Sequence, residues 1–571
     1  MCGIFCTISR NGFLSPSENA TRLLKHRGPD NFHEHQVTVN TKDNQEIFLS
    51  LSASVLCLRG TPLVPQPIVD PDSGCALCWN GEVWRLEGEQ LPVLDGSDTK
   101  LIFKLLCEAA SSRESHIQIP KVIERIRGPF AMVFYDGFSK KIYYGRDSLG
   151  RRSLLRTVTP SGDLVISSIS DKDLSTCWSE DEAEGIQIIE ISQLTANSSF
   201  PPVELTMPYV VLQSEREQNS EELVDPVARP DPLIQLPYGT LNKDINPPST
   251  STRLNISSHP LTIFERLLRL SLAPRVSGIR LSGQDVECEC PQSEAEPRIA
   301  ILFSGGLDCT LLARIISDVI FSPTEAIDLL NVAFQNPRIH KGELGYELCP
   351  DRITARSSLA ELQNICPRRP FRLVCINVPF TESQGHRQEI IDLMHPHNTE
   401  MDLSIAYALY FAARGIGETT TDDGKIIPYA TPARVLISGL GADELFAGYM
   451  RHATAFSRKS WPGLLDEMEL DIDRLGKRNL GRDDRVISHW GKEARYPFLD
   501  EDVVVWTLQA PFWEKVGFGM TRSIASEIEK NEDEGELDIE DGKLLLRLLA
   551  WKLGMKGVAR EKKRAVSIHD S

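Results

Sequence analysis

The second residue of the chain, Cys2, brings a nucleophile and a base together in one amino acid. A small residue behind Met1 permits removal of that methionine, which leaves Cys2 with a free α-amine. An α-amine has an ordinary pKa of about 8 and can accept the proton of the thiol in the same residue. Cys2 is therefore a candidate catalytic nucleophile, although a cysteine at position 2 is weak support when taken alone.

A second candidate site follows a predicted buried strand near residue 300. Residues 298–309 read R-I-A-I-L-F-S-G-G-L-D-C, which indicates a strand, a glycine loop and the start of a helix. Gly305 and Gly306 let the backbone approach a ligand closely, and loop N–H groups with a helix N-terminus bind anions. The loop lacks the G-K-[ST] of a Walker A motif, and S-G-G-x-D alone is equally compatible with an ordinary turn.

An ordered series of motifs accompanies Cys2 in the first 150 residues. They are C-G-I at 2–4, H-R-G-P-D at 26–30, R-G at 59–60, N-G-E at 80–82, S-D-T at 97–99 and G-P-F at 128–130. Together these motifs resemble the class II glutamine amidotransferase domain, an N-terminal-nucleophile fold of stacked sheets. The resemblance implies that Cys2 attacks the amide of glutamine and that Asn80 with Gly81 forms the oxyanion hole.

The same resemblance implies the rest of the glutamine site. Arg59 would hold the substrate carboxylate as a bidentate fork, and Asp98 would hold the α-ammonium. Glu82, in the same motif as Asn80, is a further glutamine-binding candidate. The structural alternative is that Arg59 and Asp98 are surface charges and that the Asn80-Gly81 pair is only a hairpin turn.

The glycine loop has a counterpart after another predicted strand, RVLIS. Residues 438–449 read S-G-L-G-A-D-E-L-F-A-G-Y, and the two stretches resemble the N-type ATP pyrophosphatase site of asparagine synthetases. The resemblance implies that Asp308 and Asp443 ligate Mg²⁺, a hard cation that prefers oxygen ligands. The implied contacts to ATP or its pyrophosphate are Leu302, Ser304, Gly305, Gly306, Asp308, Val332, Ser438 and Gly439. Lys563 would stabilise charge on the adenylate and pyrophosphate, the alternative being one solvated lysine in a basic tail.

The two halves together resemble glutamine-hydrolysing asparagine synthetase over most of the chain. Residues 145–155 and the form S-G-L-G-A-D-E are in the style of a eukaryotic subgroup of that family. The resemblance implies asparagine biosynthesis: Cys2 frees ammonia from glutamine, and the second domain adenylates aspartate with ATP and Mg²⁺. Ammonia then passes through an internal channel and displaces AMP. The resemblance alone also suggests a homodimer.

Three departures from the family pattern fall in the second half. Leu440 stands where asparagine synthetases carry a Glu that helps to deprotonate ammonia, and leucine cannot act as a base. Cys309 replaces the usual second Ser of S-G-G-x-D-S, which exchanges a good hydrogen-bond donor for a weak one. The stretch RAVSIHDS stands where the family continues with an aromatic–glycine sequence. These departures support a second hypothesis, a fold-retaining regulatory or assembly protein that binds ATP without turnover, with or without glutaminase activity.

The elements around these motifs predict a two-domain α/β chain. Residues 2–191 are rich in short strands, and AMVFYD is apolar on both faces, which is typical of a layered structure. There we expect two sheets with flanking helices, the N-terminal-nucleophile αββα glutaminase sandwich. Proline and serine over 192–256 predict an extended connector. Alternating strands and helices over 257–571 predict a parallel-sheet ATP pyrophosphatase-type synthetase domain.

Composition narrows the class of protein further. Among the 571 residues, 62 Lys and Arg stand against 80 Asp and Glu, a net charge of −18 that argues against a nucleic-acid binder. Nine acids and one Lys, a net −8 of the total −18, lie in an insert at 527–541, for which we expect a solvated loop, with a partner site as the alternative.

Cysteine usage and hydropathy predict a cytoplasmic protein without a membrane segment. The 13 cysteines are scattered and odd in number, which favours reduced thiols. Cys75 and Cys78 form a C-x-x-C that is either a metal ligand pair or, as we expect, two thiols in or beside a strand. No apolar run approaches the roughly 20 residues of a membrane span, and the N-terminus does not resemble a signal peptide.

Overall fold

The computed structural model describes residues 2–60, 62–87, 97–174, 177–195, 200, 202, 204–212, 233–249, 252–280, 296–320, 322–336, 344–421, 423–521 and 539–562. The chain folds into two compact units. One comprises Met1–Pro237, Arg387–Ala406 and Gly476–Glu493, and the other comprises Tyr238–His386, Tyr407–Leu475 and Ala494–Ser571. Two segments of the predicted synthetase range therefore belong to the first unit.

Strands are numbered along the chain. They are β1 (Gly3–Ser9), β2 (Asn31–Asn40), β3 (Glu46–Val55), β4 (Ile68–Val69), β5 (Ala76–Gly81), β6 (Arg85–Leu86), β7 (Ile126–Arg127), β8 (Phe130–Asp136), β9 (Lys141–Arg146), β10 (Leu155–Val158), β11 (Leu164–Ser167), β12 (Ser179–Glu180), β13 (Gly185–Glu190), β14 (Leu205–Leu212), β15 (Ile234–Gly239), β16 (Ile299–Leu302), β17 (Ile327–Phe334), β18 (Phe371–Val378), β19 (Ile416–Thr420), β20 (Ile426–Ala430), β21 (Val435–Ile437) and β22 (Glu493–Arg495).

The α-helices are numbered in the same way. They are α1 (Glu18–Arg27), α2 (Asp98–Ser111), α3 (Ser115–Glu124), α4 (His259–Val276), α5 (Leu307–Val319), α6 (Leu344–Glu347), α7 (Pro350–Ile365), α8 (Phe380–Gly385), α9 (Arg387–Met394), α10 (Glu400–Arg414), α11 (Ala442–Leu445), α12 (Met450–Arg478), α13 (Leu480–Ser488), α14 (Glu501–Gln509), α15 (Leu544–Lys552) and α16 (Lys556–Arg560). Among the described residues, no helix has both the length and the apolar character that crossing a membrane requires.

Two sheets form the core of the first unit. One has the strand order β12-β10-β11-β1-β3-β2, and the other β15-β14-β13-β9-β8-β5-β4. A single hydrophobic cluster contains residues of both sheets, including Ile4 of β1 and Val133 of β8. A second cluster joins the opposite face of β8, through Phe134, to α2 and α3. Both faces of β8 are therefore buried, as its two-sided apolar sequence predicts.

Part of the predicted connector is regular structure in the second sheet. Within 192–256, β14 pairs antiparallel with β13, and β15 forms the edge of the sheet. The prolines predict an extended linker, but Pro237 lies in the edge strand β15, where a residue without an N–H is tolerated. Residues 213–232 of the connector lie outside the described residues.

The second unit contains the predicted parallel sheet. Its order is β20-β19-β18-β17-β16-β21-β22, in which β18, β17, β16 and β21 run parallel. The antiparallel pair β19–β20 at one edge is not indicated by the alternating strand–helix pattern of the sequence. The carboxyl ends of parallel strands meet at one edge of a sheet, so the loops after β16 and β21 lie side by side.

Candidate active sites

Cys2 stands immediately before β1, and its main chain is held on both sides. Its nitrogen, which becomes the α-amine once Met1 is removed, donates a hydrogen bond to Asn80 Oδ1 at 3.0 Å. Its carbonyl oxygen accepts from the Arg27 guanidinium, whose Nε and Nη2 lie at 3.4 and 3.5 Å. The backbone of Cys2 is thus fixed while its thiol is left to react.

Asn80 is fully buried near the end of β5. Its Oδ1 accepts from Cys2, whereas its Nδ2 has no hydrogen-bond partner among the residues that the structure describes. A buried amide donor without a partner is costly in free energy. Such donors occur at active sites, where a substrate can supply the missing acceptor. Beside a nucleophile, such a donor can stabilise negative charge on a substrate oxygen.

The N-G-E and G-P-F motifs pack against each other with no space for a side chain on their glycines. A Cβ added to Gly81 would lie 2.7 Å from Pro129 O, and one added to Gly128 would lie 2.0 Å from Glu82 O. Asn80 and Gly81 belong to β5 and pair with residues of β8, so the hairpin-turn alternative for them does not hold.

The Cys2 thiol lies beside a second amide side chain, that of Gln66. Gln66 Nε2 is 3.6 Å from Cys2 Sγ, and Gln66 Oε1 accepts a hydrogen bond from Trp79 N at 2.7 Å. Burial raises the pKa of Cys2, while the N-terminal charge and a hydrogen bond from the Leu56 main chain act in the opposite direction. Sequence reasoning missed Gln66, because its P-Q-P context carries no catalytic motif.

The predicted glutamine-binding residues adjoin Cys2 and Asn80. Arg59 Nη1 is 3.0 Å from Glu82 Oε2, and the guanidinium lies 5.4 Å from the centre of the Trp84 ring. Asp98, the first residue of α2, accepts hydrogen bonds from Val83 N at 3.0 Å and Thr99 N at 2.7 Å. Burial, with the charge of Glu82 second, raises the pKa of Asp98 to about 6. The structure therefore brings a cation and two carboxyl groups to one place beside Cys2, the predicted nucleophile.

The second candidate site is built at the carboxyl ends of β16 and β21. Gly305 has a φ of +80° and an added Cβ would lie 2.4 Å from Ala355 N, so the glycine loop needs this glycine. Gly306 is the N-cap of α5, and Ser304 at the tip of the loop is exposed. Ser358 Oγ and Thr310 Oγ1 donate to Gly305 O at 2.6 and 3.2 Å and hold the loop from behind.

The two predicted metal ligands converge on a lysine. Lys543 Nζ is 2.6 Å from Asp308 Oδ2 and 2.7 Å from Asp443 Oδ1. Its main-chain N donates to Phe446 O at 3.0 Å, and its φ of 54° is uncommon for a residue other than glycine. Burial lowers the pKa of Lys543, but the charges of Asp308 and Asp443 outweigh burial, so the pKa is raised.

Glycines allow this convergence. A Cβ on Gly448 would lie 2.0 Å from both Asp443 Oδ1 and Lys543 Cε, and a Cβ on Gly439 would lie 2.9 Å from Asp308 Cβ. The loops after β16 and β21 are therefore in direct contact. Of the other predicted ATP contacts, Leu302 ends β16, Val332 lies within β17 and Ser438 follows β21.

The donor set at this place fits a magnesium ion. Mg²⁺ is commonly held by one or two carboxylates, with waters and substrate phosphates completing the shell. Asp308 and Asp443 supply two carboxylates that already face one cationic centre. Nowhere in the described residues, this place included, do three or more His, Cys, Asp or Glu side chains form a metal-binding group, so the two carboxylates would hold the ion only together with waters or phosphates. Cys75 and Cys78 cannot form a chelate, because they pack into different hydrophobic clusters on opposite faces of the sheet.

Comparison with known proteins identifies the family to which the chain belongs. A family model of the glutamine amidotransferase domain matches residues 1–197, and one of asparagine synthase matches residues 457–531. Asparagine synthetase domain-containing protein 1 of Homo sapiens is 32% identical over 99% of this chain and 94% of its own length. The Mus musculus protein of the same name is 31% identical over 99% and 96%. The chain belongs to the asparagine synthetase family, in the group of asparagine synthetase domain-containing protein 1.

A glutamine-hydrolysing asparagine synthetase of Gallus gallus is a more distant relative. It is 25% identical over 90% of this chain and 77% of its own length. The resemblance drawn from the motifs, to the asparagine synthetase family and to this subgroup of it, is thus confirmed.

The departures from the asparagine synthetase pattern have defined surroundings. Leu440 is half-buried, and its main-chain N donates to Ser438 Oγ at 3.3 Å. Glu444 is buried and accepts a hydrogen bond from the Tyr449 hydroxyl; burial, with Asp443 as a lesser cause, raises its pKa. Cys309 Sγ donates to Gly306 O at 3.3 Å, and burial raises the pKa of this thiol. Cys309 is therefore a neutral, weak donor within the loop.

The structure does not describe the lysine that was predicted for this site, and it places another lysine there that the motifs did not indicate. Lys563 lies outside the described residues. Lys543, which the structure places between Asp308 and Asp443, follows the acidic insert and precedes an apolar run. Its type and spacing alone carry no signal that would connect it to a glycine loop more than 200 residues earlier.

Proposed function

We propose that the chain is a glutamine-dependent amidotransferase of the asparagine synthetase type. The first unit would release ammonia from glutamine, and the second would adenylate aspartate with ATP and Mg²⁺ so that ammonia displaces AMP. The observation that carries the proposal is the pairing of Cys2 with Asn80, whose Nδ2 is a buried donor without a partner in the described residues.

Glutamine hydrolysis would proceed through a thioester. The Cys2 thiol transfers its proton to the α-amine, and the sulfur attacks the side-chain carbonyl carbon of glutamine. Asn80 Nδ2 and the Gly81 main chain donate to the developing oxyanion. The carbon–nitrogen bond then breaks, and ammonia leaves with the proton held by the α-ammonium. Water hydrolyses the thioester, which yields glutamate and restores Cys2.

Arg59 and Asp98 would orient the glutamine backbone during these steps. The Arg59 guanidinium, now paired with Glu82, would accept the substrate carboxylate in a bidentate contact. Asp98 carries a negative charge when it is ionised, and in that form it would hold the α-ammonium of glutamine. The close pairing of Arg59 with Glu82 neutralises the cation until a carboxylate arrives.

The second unit would bind the pyrophosphate of ATP at the glycine loop. Mg²⁺, when bound, supplies positive charge to the pyrophosphate, and Asp308 with Asp443 would hold it. Lys543 is placed to neutralise the two carboxylates and to add positive charge next to the departing pyrophosphate. Leu302, Val332 and Gly439 would border the adenine.

A second candidate function is supported by Leu440. Without a carboxylate at that position, the last step lacks the base that the family uses, and the second unit could bind ATP in a regulatory or assembly role. The first unit would then act as a glutaminase alone or without catalysis.

One incubation separates these candidates. Purified protein is given glutamine, aspartate and Mg-ATP, and glutamate, pyrophosphate and asparagine are quantified separately. We expect all three products, with Cys2→Ala abolishing glutamine use and leaving ammonia-dependent pyrophosphate release intact. Glutamate without aspartate-dependent pyrophosphate would exclude the synthetase, and no glutamate from protein lacking Met1 would exclude the glutaminase. Leu440→Glu should raise the asparagine yield if the missing base limits turnover.

We also propose that the protein is cytoplasmic and forms a homodimer. The eleven cysteines in the described residues are free thiols, which suits a reducing compartment. The dimer rests on family membership alone, and sedimentation analysis would test it.

A further inference from the structure

Arg27, the last residue of α1, contacts the nucleophile from behind. Its side chain is 1% exposed, and its Nε and Nη2 reach Cys2 O at 3.4 and 3.5 Å. Cys2 N is held by Asn80 on the other side. The orientation of Arg27 therefore affects where the backbone of Cys2, and with it the α-amine and the sulfur, is placed.

The position of Arg27 is set by residues more than 450 positions later in the sequence. Asp484 Oδ2 is 2.7 Å from Arg27 Nη2, and Ser488 Oγ is 2.6 Å from Arg27 Nη1. Both residues belong to α13 and are four apart, so they share one face of that helix. Asp484 is fully buried. A charge-assisted hydrogen bond of this kind is short and directional.

A second ion pair, between Arg152 and Glu493, lies next to the pair of Arg27 and Asp484. Arg152 Nη2 is 3.3 Å from Glu493 Oε2, and its Nη1 is 3.9 Å from Asp484 Oδ1. Asp484 Oδ2 also accepts from Ser153 N at 3.2 Å. Two guanidinium groups and two carboxylates are thus buried together with no net charge. Removal of either acid would leave a cation without its counter-charge in a buried site.

We infer that Asp484 is a positioning residue for glutamine hydrolysis, which it serves by orienting Arg27 against the carbonyl of Cys2. The inference rests on the proposed glutaminase. It means that a helix from the C-terminal half of the chain completes the site whose nucleophile is the second residue. The match of the amidotransferase family model to residues 1–197 does not include this helix.

Asp484→Asn tests the inference, because it keeps size and one acceptor oxygen while removing the charge. We expect kcat for glutamine to fall at least tenfold with KM changed less than twofold, since Asp484 acts on the nucleophile and not on the substrate. Asp163→Asn, at a buried aspartate in the β10–β11 turn, is the matched control and should leave kcat unchanged.

A double variant distinguishes positioning from general support of the fold. If Asp484 acts through Arg27, the Arg27→Gln, Asp484→Asn pair should lower kcat no further than Arg27→Gln alone. Ser488→Ala keeps all four charges and should lower kcat about fivefold while the protein remains folded. Multiplicative effects of the two substitutions on kcat would overturn the inference.

Alkylation of Cys2 keeps this inference separate from the proposed function. The pH profile of Cys2 alkylation by iodoacetamide, followed on the N-terminal peptide by mass spectrometry, should shift in Asp484→Asn and not in Asp163→Asn. An unshifted profile together with unchanged kcat would overturn the positioning role and leave the glutaminase intact. A shifted profile in a protein that releases no glutamate would show that Asp484 positions Cys2 but would reject the glutaminase, and with it the role of Asp484 in glutamine hydrolysis.

Discussion

Asn80 uses the two atoms of its amide for two separate tasks. Its Oδ1 holds the nitrogen of Cys2, and its Nδ2 faces the site without a partner among the described residues. A carboxylate in its place would lose the donor, and an aliphatic side chain would lose both functions. At the scale of single residues, the proposed chemistry depends on a few polar atoms. Gln66 Nε2, which lies beside Cys2 Sγ, is a further one of them.

Gln66→Glu should slow glutamine hydrolysis without disturbing the fold. The substitution keeps the oxygen that accepts from Trp79 N, but it replaces the donor facing Cys2 Sγ with a carboxylate oxygen. Negative charge next to the sulfur disfavours the thiolate, so the pKa of Cys2 should rise and kcat should fall about tenfold or more. Alkylation of Cys2 against pH measures the first effect, and glutamate release measures the second. Gln36→Glu, on the exposed face of β2, is the control; equal rates in both variants would contradict the role of Gln66.

Glutamine binding should weaken in mild acid. Asp98 has a pKa raised to about 6, so it is ionised above that pH and becomes protonated as the pH falls through it. A neutral Asp98 cannot pair with the α-ammonium, and KM for glutamine should therefore rise between pH 7 and pH 5. Asp98→Asn should have a high KM at both pH values. A KM for the native protein that is constant over this range would contradict the assignment.

At the scale of helices and strands, the second site could be predicted only in part. The glycine loop and the S-G-L-G-A-D-E stretch each follow a parallel strand, so motif and topology agree, and Asp308 and Asp443 lie close together as expected. Lys543 could not be predicted, because it reaches the loops through the start of α15. Motif reasoning recognises residues that are near each other in sequence, whereas Lys543 is near only in space.

Gly448→Ala should abolish nucleotide binding by the second unit. The added methyl group would overlap Asp443 Oδ1 and Lys543 Cε, and both side chains would have to leave their positions. We expect loss of the rise in melting temperature that Mg-ATP should give the native protein. Gly385→Ala is the matched control, because a Cβ at that glycine meets nothing within 4 Å. Retained stabilisation in Gly448→Ala would contradict the placement of ATP at these loops.

At the scale of the whole molecule, the main surprise is the composition of the first unit. Composition and periodicity change at residues 191 and 257, and this change predicts domain boundaries there. The structure adds Arg387–Ala406 and Gly476–Glu493 to the first unit. These segments carry helix patterns like those of their neighbours, and their partners, such as Asp484 for Arg27, are hundreds of residues away. No local pattern could have assigned them.

Glu180 should contribute strongly to the stability of the first unit. It lies 3.0 Å from Arg146 Nη1, 3.1 Å from Arg485 Nη1 and 3.0 Å from His397 Nε2, which joins three separate parts of the chain. Glu180→Ala should lower the free energy of unfolding by about 3–5 kcal/mol, because it leaves buried cations unpaired. Glu184→Ala, at an exposed partner of Lys477, should cost less than about 1 kcal/mol.

The pH dependence of stability provides a second test of Glu180. Burial raises the pKa of this carboxyl, but Arg485, Arg146 and His397 outweigh burial and lower it strongly. A carboxyl with a lowered pKa in the folded state stabilises the protein above the ordinary value of about 4.3, and this contribution is lost as the pH falls below it. Denaturant unfolding at pH 7 and pH 4 should show a smaller difference in Glu180→Gln than in the native protein. Equal differences would contradict the ionic role of Glu180.

The discontinuity of the first unit has a consequence during synthesis on the ribosome. Residues Met1–Pro237 emerge well before Gly476–Glu493, and at about 5–20 residues per second the intervening 238 residues take about 12–48 s to translate. During that interval Arg27 and Arg152 lack the counter-charges that they have in the folded chain, since Asp484 and Glu493 have not yet been synthesised. The first unit is therefore finished late, and chaperones have time to act on it before it is complete. A premature stop codon shortly before Asp484 should disable this unit although its first 237 residues are intact.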